Sequence, residues 1–197
     1  SQNLTAAVAH FPGAKIVIAS DAYTAKGLLK SAIRDNNPVI VIEHRKHYGM
    51  QFDLPDDADE NLLLPLDRAA VVHEGGDVTV AAMGFQVGQC VAVAKHLEKK
   101  GIGVEVIDLR SIVPLDKETI IRSVKKTGRL LIVDEGCESF GIAAEITASV
   151  MKDVFYDLDA PISRLCAPDV PIPFSTALEK LIVPNENTIL EAVKKLL

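Results

Sequence analysis

At 197 residues the chain has room for one large α/β domain or two small ones. Its residues are 48% hydrophobic with no tryptophan, so any core is aliphatic. A net charge of −6 at pH 7 speaks against a basic nucleic-acid surface, and no apolar run approaches the ~18 residues that a membrane span needs.

In chain order, residues 1–10 are small and apolar enough for a short helix, and Phe11-Pro12-Gly13 turns the chain into a predicted strand over 15–20. Ser20 or Asp21 caps the next helix, whose buried face reads Ala22, Ala25, Leu28, Leu29, Ala32 and Ile33. Pro38 stops it and biases Asn37 to extended backbone. A strand over 39–43 follows. Residues 1–46 are thus one strand–helix–strand unit, too small to close its own core. The opening SQNLTAAVAHFPG resembles no signal peptide and reads as an entry into the middle of a fold.

Residues 47–68 are acidic, hold Pro55 and Pro65 and show no sustained period, which predicts a linker wrapped over a surface. Two apolar stretches, 69–73 and 77–80, flank Glu74-Gly75-Gly76, and the turn chemistry predicts a hairpin adding an antiparallel edge. Strands over 77–84, 104–109 and 129–134 then alternate with helices over 85–100 and 117–126. The continuous run Leu130-Leu131-Ile132-Val133 marks a strand covered on both faces, and Val87, Cys90, Val91, Ala94 and Leu97 form one buried helical stripe. Such alternation gives an open α/β sheet with right-handed crossovers. A helix through Ile142, Ile146, Val150 and Val154, a strand over 161–165 and a final amphipathic helix capped by Asn185 complete the chain. The three cysteines, Cys90, Cys137 and Cys166, have no Cys-x-x-Cys spacing and fit a reducing compartment.

Chemistry-bearing candidates are few. Gly84-Phe85-Gln86-Val87-Gly88 opens a helix after a strand, but lacks the third glycine of a dinucleotide fingerprint and the Lys-Ser/Thr of a P-loop; tight packing explains it better. Asp134-Glu135 sits at the carboxyl end of a central strand, where open α/β sheets place their sites. The pair suits acid–base work, or a structural role as cap or as partner of an arginine such as Arg110. His10, His44, His47, His73 and His96 show no zinc spacing, and His44 and His47 read as solvated linker entry. No Gly-x-Ser-x-Gly elbow is present. The helix end Ala32-Ile33-Arg34-Asp35-Asn36-Asn37 offers carbonyl oxygens and a carboxylate to a hard cation, against the plainer reading of C-capping by Asn.

The blocks SQNLTAAVAHFPGAKIVIAS, AKGLLKSAIRDNNPVIVIEH, GVEVIDLRSIVPLDKETI, TGRLLIVDEGCESFGIAAEI and LDAPISRLCAPDVPIPFS together resemble the beta subunit of thiamine-diphosphate-dependent 2-oxo acid dehydrogenases. The resemblance implies the C-terminal part of a pyrimidine-binding α/β domain over 1–46, a linker over 47–68, and a transketolase C-terminal-like domain with an open, mostly parallel sheet over 69–197. It implies an enzyme that decarboxylates a 2-oxo acid, pyruvate foremost, and passes the acyl group to a lipoyl group. The alternative is a non-catalytic dimerisation and docking module.

The family's cofactor glutamate and active-site histidine fall upstream of Ser1, so no catalytic or cofactor-binding residue is expected here and His10 does not replace them. Magnesium is held by the alpha subunit. The resemblance further implies potassium on main-chain oxygens of Ala32, Ile33, Asp35 and Asn37. It implies contacts with an alpha subunit, a second beta subunit and the subunit-binding domain of the dihydrolipoyl acyltransferase, the last through Asp159 and the carboxylate of Leu197. The location implied is the cytoplasm, or the mitochondrial matrix in a eukaryote. These 197 residues alone are expected not to bind thiamine diphosphate; titration calorimetry showing micromolar binding would contradict that.

Overall fold

The structure is a computed structural model describing residues 2–56 and 58–197. In order, it has α1 (Thr5–Ala9), β1 (Lys15–Ile18), α2 (Ala22–Arg34), β2 (Val39–Ile42), a 3-10 turn (Arg45–Gly49), β3 (Ala70–His73), β4 (Val78–Ala82), α3 (Phe85–Glu98) and β5 (Val104–Asp108). There follow β6 (Ser111–Val113), α4 (Lys117–Thr127), β7 (Leu130–Cys137), α5 (Ile142–Val154), β8 (Ser163–Ala167), α6 (Thr176–Ile182) and α7 (Glu186–Leu196).

The apolar runs became the larger sheet, ordered β3-β5-β4-β7-β8. Its pairs are parallel except at the β3 edge. Alternate residues of β7 face opposite layers: Leu130 and Ile132 meet α4 and α5 through Ile120, Val124, Ile146 and Val150. Leu131 and Val133 meet α3 and α7 through Val87, Leu97, Ile189 and Val193. Each fully buried aliphatic side chain contributes roughly 1.5–3 kcal/mol relative to exposure, so this sandwich is the main source of stability. Helix stops follow local chemistry. Gly128, at φ 69, ends α4 in the left-handed region that other residues resist.

A smaller sheet, ordered β2-β1-β6, lies beside it. Here β1 runs parallel to β2 and antiparallel to β6, so a strand from beyond β5 completes a sheet begun before residue 20. Asp21, rather than Ser20, caps α2: its Oδ1 accepts the Thr24 amide at 2.7 Å, and Thr24 Oγ1 accepts the Asp21 amide at 2.9 Å.

Several expectations need correction. Leu29 and Ile33 are exposed, Ile33 by 75%. Helix α2 instead buries Thr24, Gly27 and Leu28, because the linker packs there. Leu62, Leu64 and Leu66 alternate and bury against Val17 and Leu28. A Cβ at Gly27 would lie 2.5 Å from Leu64 Cγ, so the small residue admits that side chain. The predicted hairpin is absent too. The edge strand β3 pairs with β5, at Ala70↔Asp108 and Val71↔Ile107, and Gly75 passes directly over the start of β5. Cys137, expected in a loop, closes β7, and the strand expected over 161–165 runs two residues later as β8.

Candidate functional site

The carboxyl ends of β4 and β7 open toward the small sheet across a cleft of about 610 Å³, whose walls include Leu4, Ile42, His44, Phe85, Glu135 and Val183. Chain direction explains what lies there. β4 delivers Gly84, after which α3 begins and sets Phe85 and Gln86 at the cleft. β7 delivers Asp134 and Glu135. β2 delivers His44 and the 3-10 turn behind it.

Glu135 is the hub. Its Oε2 accepts from His44 Nε2 at 3.0 Å, and its Oε1 accepts from Gln86 Nε2 at 2.8 Å. Burial pushes the Glu135 carboxyl up, yet the His44 and Gln86 bonds with the Lys46 charge outweigh it and hold the group below the usual carboxylate range. His44 stacks on Phe85 with ring centroids 5.0 Å apart and planes 21° from parallel. Its Nδ1 accepts the Lys46 amide at 3.3 Å. That bond fixes the tautomer, since an accepting Nδ1 leaves the proton on Nε2 facing Glu135. His47 completes an aromatic cage, 5.5 Å from Phe85 and 5.6 Å from Phe52. Desolvation first, and then the neighbouring His44, lower its pKa. Lys46 lies 5.0 Å over the Phe85 ring and 3.4 Å from Glu179.

His44 and His47, expected in solvent, are therefore drawn against an aromatic ring far along the chain, and His44 lines the cleft. Asp134 and Glu135 part company. Asp134 is 1% exposed, and its Oδ1 accepts the Gly136 amide at 2.9 Å while burial raises its pKa. Arg110 pairs with neither. Its Nε lies 3.3 Å from Oδ2 of Asp108, which Ser20 Oγ also contacts at 2.5 Å, making a second link between the sheets.

Every acidic side chain lining the cleft is engaged or buried: Glu43 accepts from the Tyr48 hydroxyl at 2.8 Å, Glu179 pairs with Lys46, and Asp134 and Glu135 are as described. Asp134 Oδ2 is buried without a partner among the described residues, and none of the four carboxylates is open to an aminopyrimidine. Among the described residues no group of His, Cys, Asp and Glu is arranged to hold a metal, and no helix is long and apolar enough to cross a membrane.

The remaining sequence candidates lie apart from the cleft. At the end of α2 the Asp35 amide returns to the Ala32 carbonyl at 3.3 Å. The Asp35 carboxylate is paired with Lys15 and accepts from the Asn37 amide at 2.8 Å. The Lys15 bond, then those from Asn37, lower its pKa to about 2. The carboxylate expected to help a cation is thus engaged, which leaves main-chain oxygens as the donor set. Asp159 is exposed before β8, with its amide donating to the Gly128 carbonyl at 2.8 Å. Leu197, 47% exposed, follows α7. Asp159 sits beside Gly128 at the amino end of β7, and α7 starts beside Gln86 and crosses the sheet face away from the cleft.

Compared with known proteins, residues 67–189 match the family described as Transketolase, C-terminal domain. The chain belongs to that family. Residues 1–51 match the pyrimidine binding domain of transketolase. A pyruvate dehydrogenase E1 component subunit beta from Rickettsia felis is 47% identical over 195 residues, covering 99% of this chain and 59% of that protein. The mitochondrial subunit of that name from Dictyostelium discoideum is 44% identical, with 99% and 55% covered. The acetoin:2,6-dichlorophenolindophenol oxidoreductase subunit beta from Cupriavidus necator is 42% identical, with 99% and 57% covered. The chain therefore spans somewhat over half the length of these relatives. A solved split-gene transketolase, an inactive beta4 tetramer, superposes with a TM-score of 0.75 at 24% identity, covering 94% of this chain and 58% of that one. A Pichia stipitis transketolase gives 0.66 at 16%, covering 100% and 27%. At such identities these two establish the fold, an α/β arrangement of transketolase type.

Proposed function

We propose that the chain is part of the beta subunit of a thiamine-diphosphate-dependent 2-oxo acid dehydrogenase, acting on pyruvate and passing the acyl group to a lipoyl arm. The observation that carries this reading is the unbroken likeness, through both sheets and the linker, to subunits bearing that name. On the same reading residues 1–46, 47–68 and 69–197 are domain tail, linker and C-terminal domain. The partners are an alpha subunit, which supplies the magnesium site, and a second beta subunit. The location is the cytoplasm, or the mitochondrial matrix in a eukaryote. The test joins the full-length protein to an alpha subunit with thiamine diphosphate and magnesium, and follows reduction of an artificial electron acceptor. Pyruvate is expected to be the fastest substrate; no reduction with any 2-oxo acid overturns the reading.

The end of α2 is proposed to take potassium on the main-chain oxygens of Ala32, Ile33, Asp35 and Asn37. Exchange of sodium for potassium at constant ionic strength is expected to stabilise the full-length protein by about 1 kcal/mol once the ion exceeds its dissociation constant several-fold. Asn37→Pro, which locks the backbone, should abolish that shift. Asp35→Ala is a poor probe because its carboxylate is engaged by Lys15.

Asp159 and the carboxylate of Leu197 are proposed to meet basic residues of an acyltransferase subunit-binding domain. Both are exposed at the end of the fold away from the cleft, which leaves docking and chemistry free of each other. Binding should weaken with salt as exposed charges are screened. Asp159→Asn should slow association, and extending the chain past Leu197 should weaken binding in a surface-plasmon assay. Unchanged kinetics in both variants would leave Asp159 as a turn residue.

A further inference from the structure

We propose that His44 is a one-proton switch for the cleft, holding the 3-10 turn Arg45–Gly49 in place when neutral and releasing it when protonated. The ring performs two duties that make opposite demands on it. Nε2 must donate to Glu135, at 3.0 Å, and Nδ1 must accept from the Lys46 amide, at 3.3 Å. Only the neutral ring protonated on Nε2 does both. The second bond is the cap of the turn, for the His44 side chain sits at its N-cap position.

A proton from solvent can add only at Nδ1. It converts the cap acceptor into a donor and sets it against the Lys46 N–H. It also gives the ring a positive charge beside the Glu135 carboxylate, which strengthens that bond. The ring therefore stays on Glu135 and the turn is what lets go. With the turn go Arg45 and Lys46, which line the cleft, and the contacts of Lys46 with Phe85 and Glu179.

Within its own segment the ring is flanked by Glu43, Arg45, Lys46, His47 and Tyr48. Glu135 approaches from β7, Asp134 of β7 and Glu179 of α6 line the same cleft, and Asp21 at the start of α2 acts on the neighbouring His47. The His47 ring centroid is 5.8 Å away. Desolvation lowers the pKa of His47, while its ring makes no cap bond to the turn, so the opposed duties fall to His44 alone. The device needs no ligand and is independent of the function proposed above.

Hydrogen–deuterium exchange of the full-length protein, corrected for intrinsic rates, tests it between pH 8 and 5. Protection of the 45–49 amides is expected to fall about tenfold on acidification, the scale of losing one N-cap bond. His44→Asn keeps a cap acceptor that does not titrate, and should hold protection level across the range. His47→Phe fills the cage and should leave the parent's fall intact. A fall that survives in His44→Asn, or disappears in His47→Phe, overturns the proposal, as does a parent whose protection does not change with pH.

Discussion

Replacing Asp108 with alanine is expected to lower the unfolding free energy by about 3 kcal/mol, because it strands a buried hydroxyl and a guanidinium together. Asp108 is 1% exposed and accepts from Ser20 Oγ at 2.5 Å, the Arg110 amide at 3.2 Å and Arg110 Nε at 3.3 Å. Arg110 is held at φ 54, a left-handed conformation that an L side chain adopts only when its surroundings impose it. Its carbonyl in turn accepts the Ile18 amide at 2.7 Å, so removing the carboxylate slackens the join between β5 and β1. In urea the midpoint should fall with the slope unchanged.

The Asn variant separates charge from shape. Burial, opposed by Ser20 and Arg110, pushes the Asp108 carboxyl up to about 6 from an ordinary 3.8. A folded-state pKa raised in this way contributes stability that is fully present below the unfolded value and is lost as pH rises through the folded one. Stability should therefore decline between about pH 4 and 6 on this account, and Asp108→Asn should remove that decline. An identical slope in both proteins would show that Asp108 does not titrate in that window.

Gly75→Ala is expected to cost about as much, roughly 3 kcal/mol, through a clash that has no soft side. A Cβ there would lie 2.5 Å from the Val104 nitrogen and as close to other main-chain atoms of Val104 and Glu105. Those atoms belong to β5, which is paired on both edges and cannot retreat. The neighbouring Gly76→Ala is the control, because a Cβ at that position meets nothing within 4 Å. It should change stability by no more than ~0.5 kcal/mol. Equal melting temperatures for the two variants would refute the steric account.

Gly75 also shows where sequence reading reaches its limit. Glu74-Gly75-Gly76 between two apolar stretches has the chemistry of a hairpin, and nothing local separates a glycine that turns from one that lets another strand pass. Patterns of short range read true: the run Leu130–Val133 and the Asn185 cap depend on residues within a few positions, and the α3 stripe is buried except that Val93 takes the place of Val91. In the candidate site, Asp134-Glu135 was marked by its place after a strand, while Gly84-Phe85-Gln86 read as tight packing. Their partners were not marked, because His44 finds Phe85 and Glu135 only once three strands align their ends. Leu62, Leu64 and Leu66 did carry a period of two, but over so few residues, between prolines and acids, that the signal was lost. β6 is three residues long, below what periodicity can resolve.

That short strand has a consequence for how the chain is made. β1 and β2 leave the ribosome before the strand that covers the other edge of β1, which comes only after β5. Until it arrives β1 displays an unpaired row of amides and carbonyls, an open template for any passing strand. Closing the edge requires a long loop, which is slow because its entropy is lost before the contact forms. Mutations that weaken β6 should therefore be felt first as lost yield rather than as altered melting.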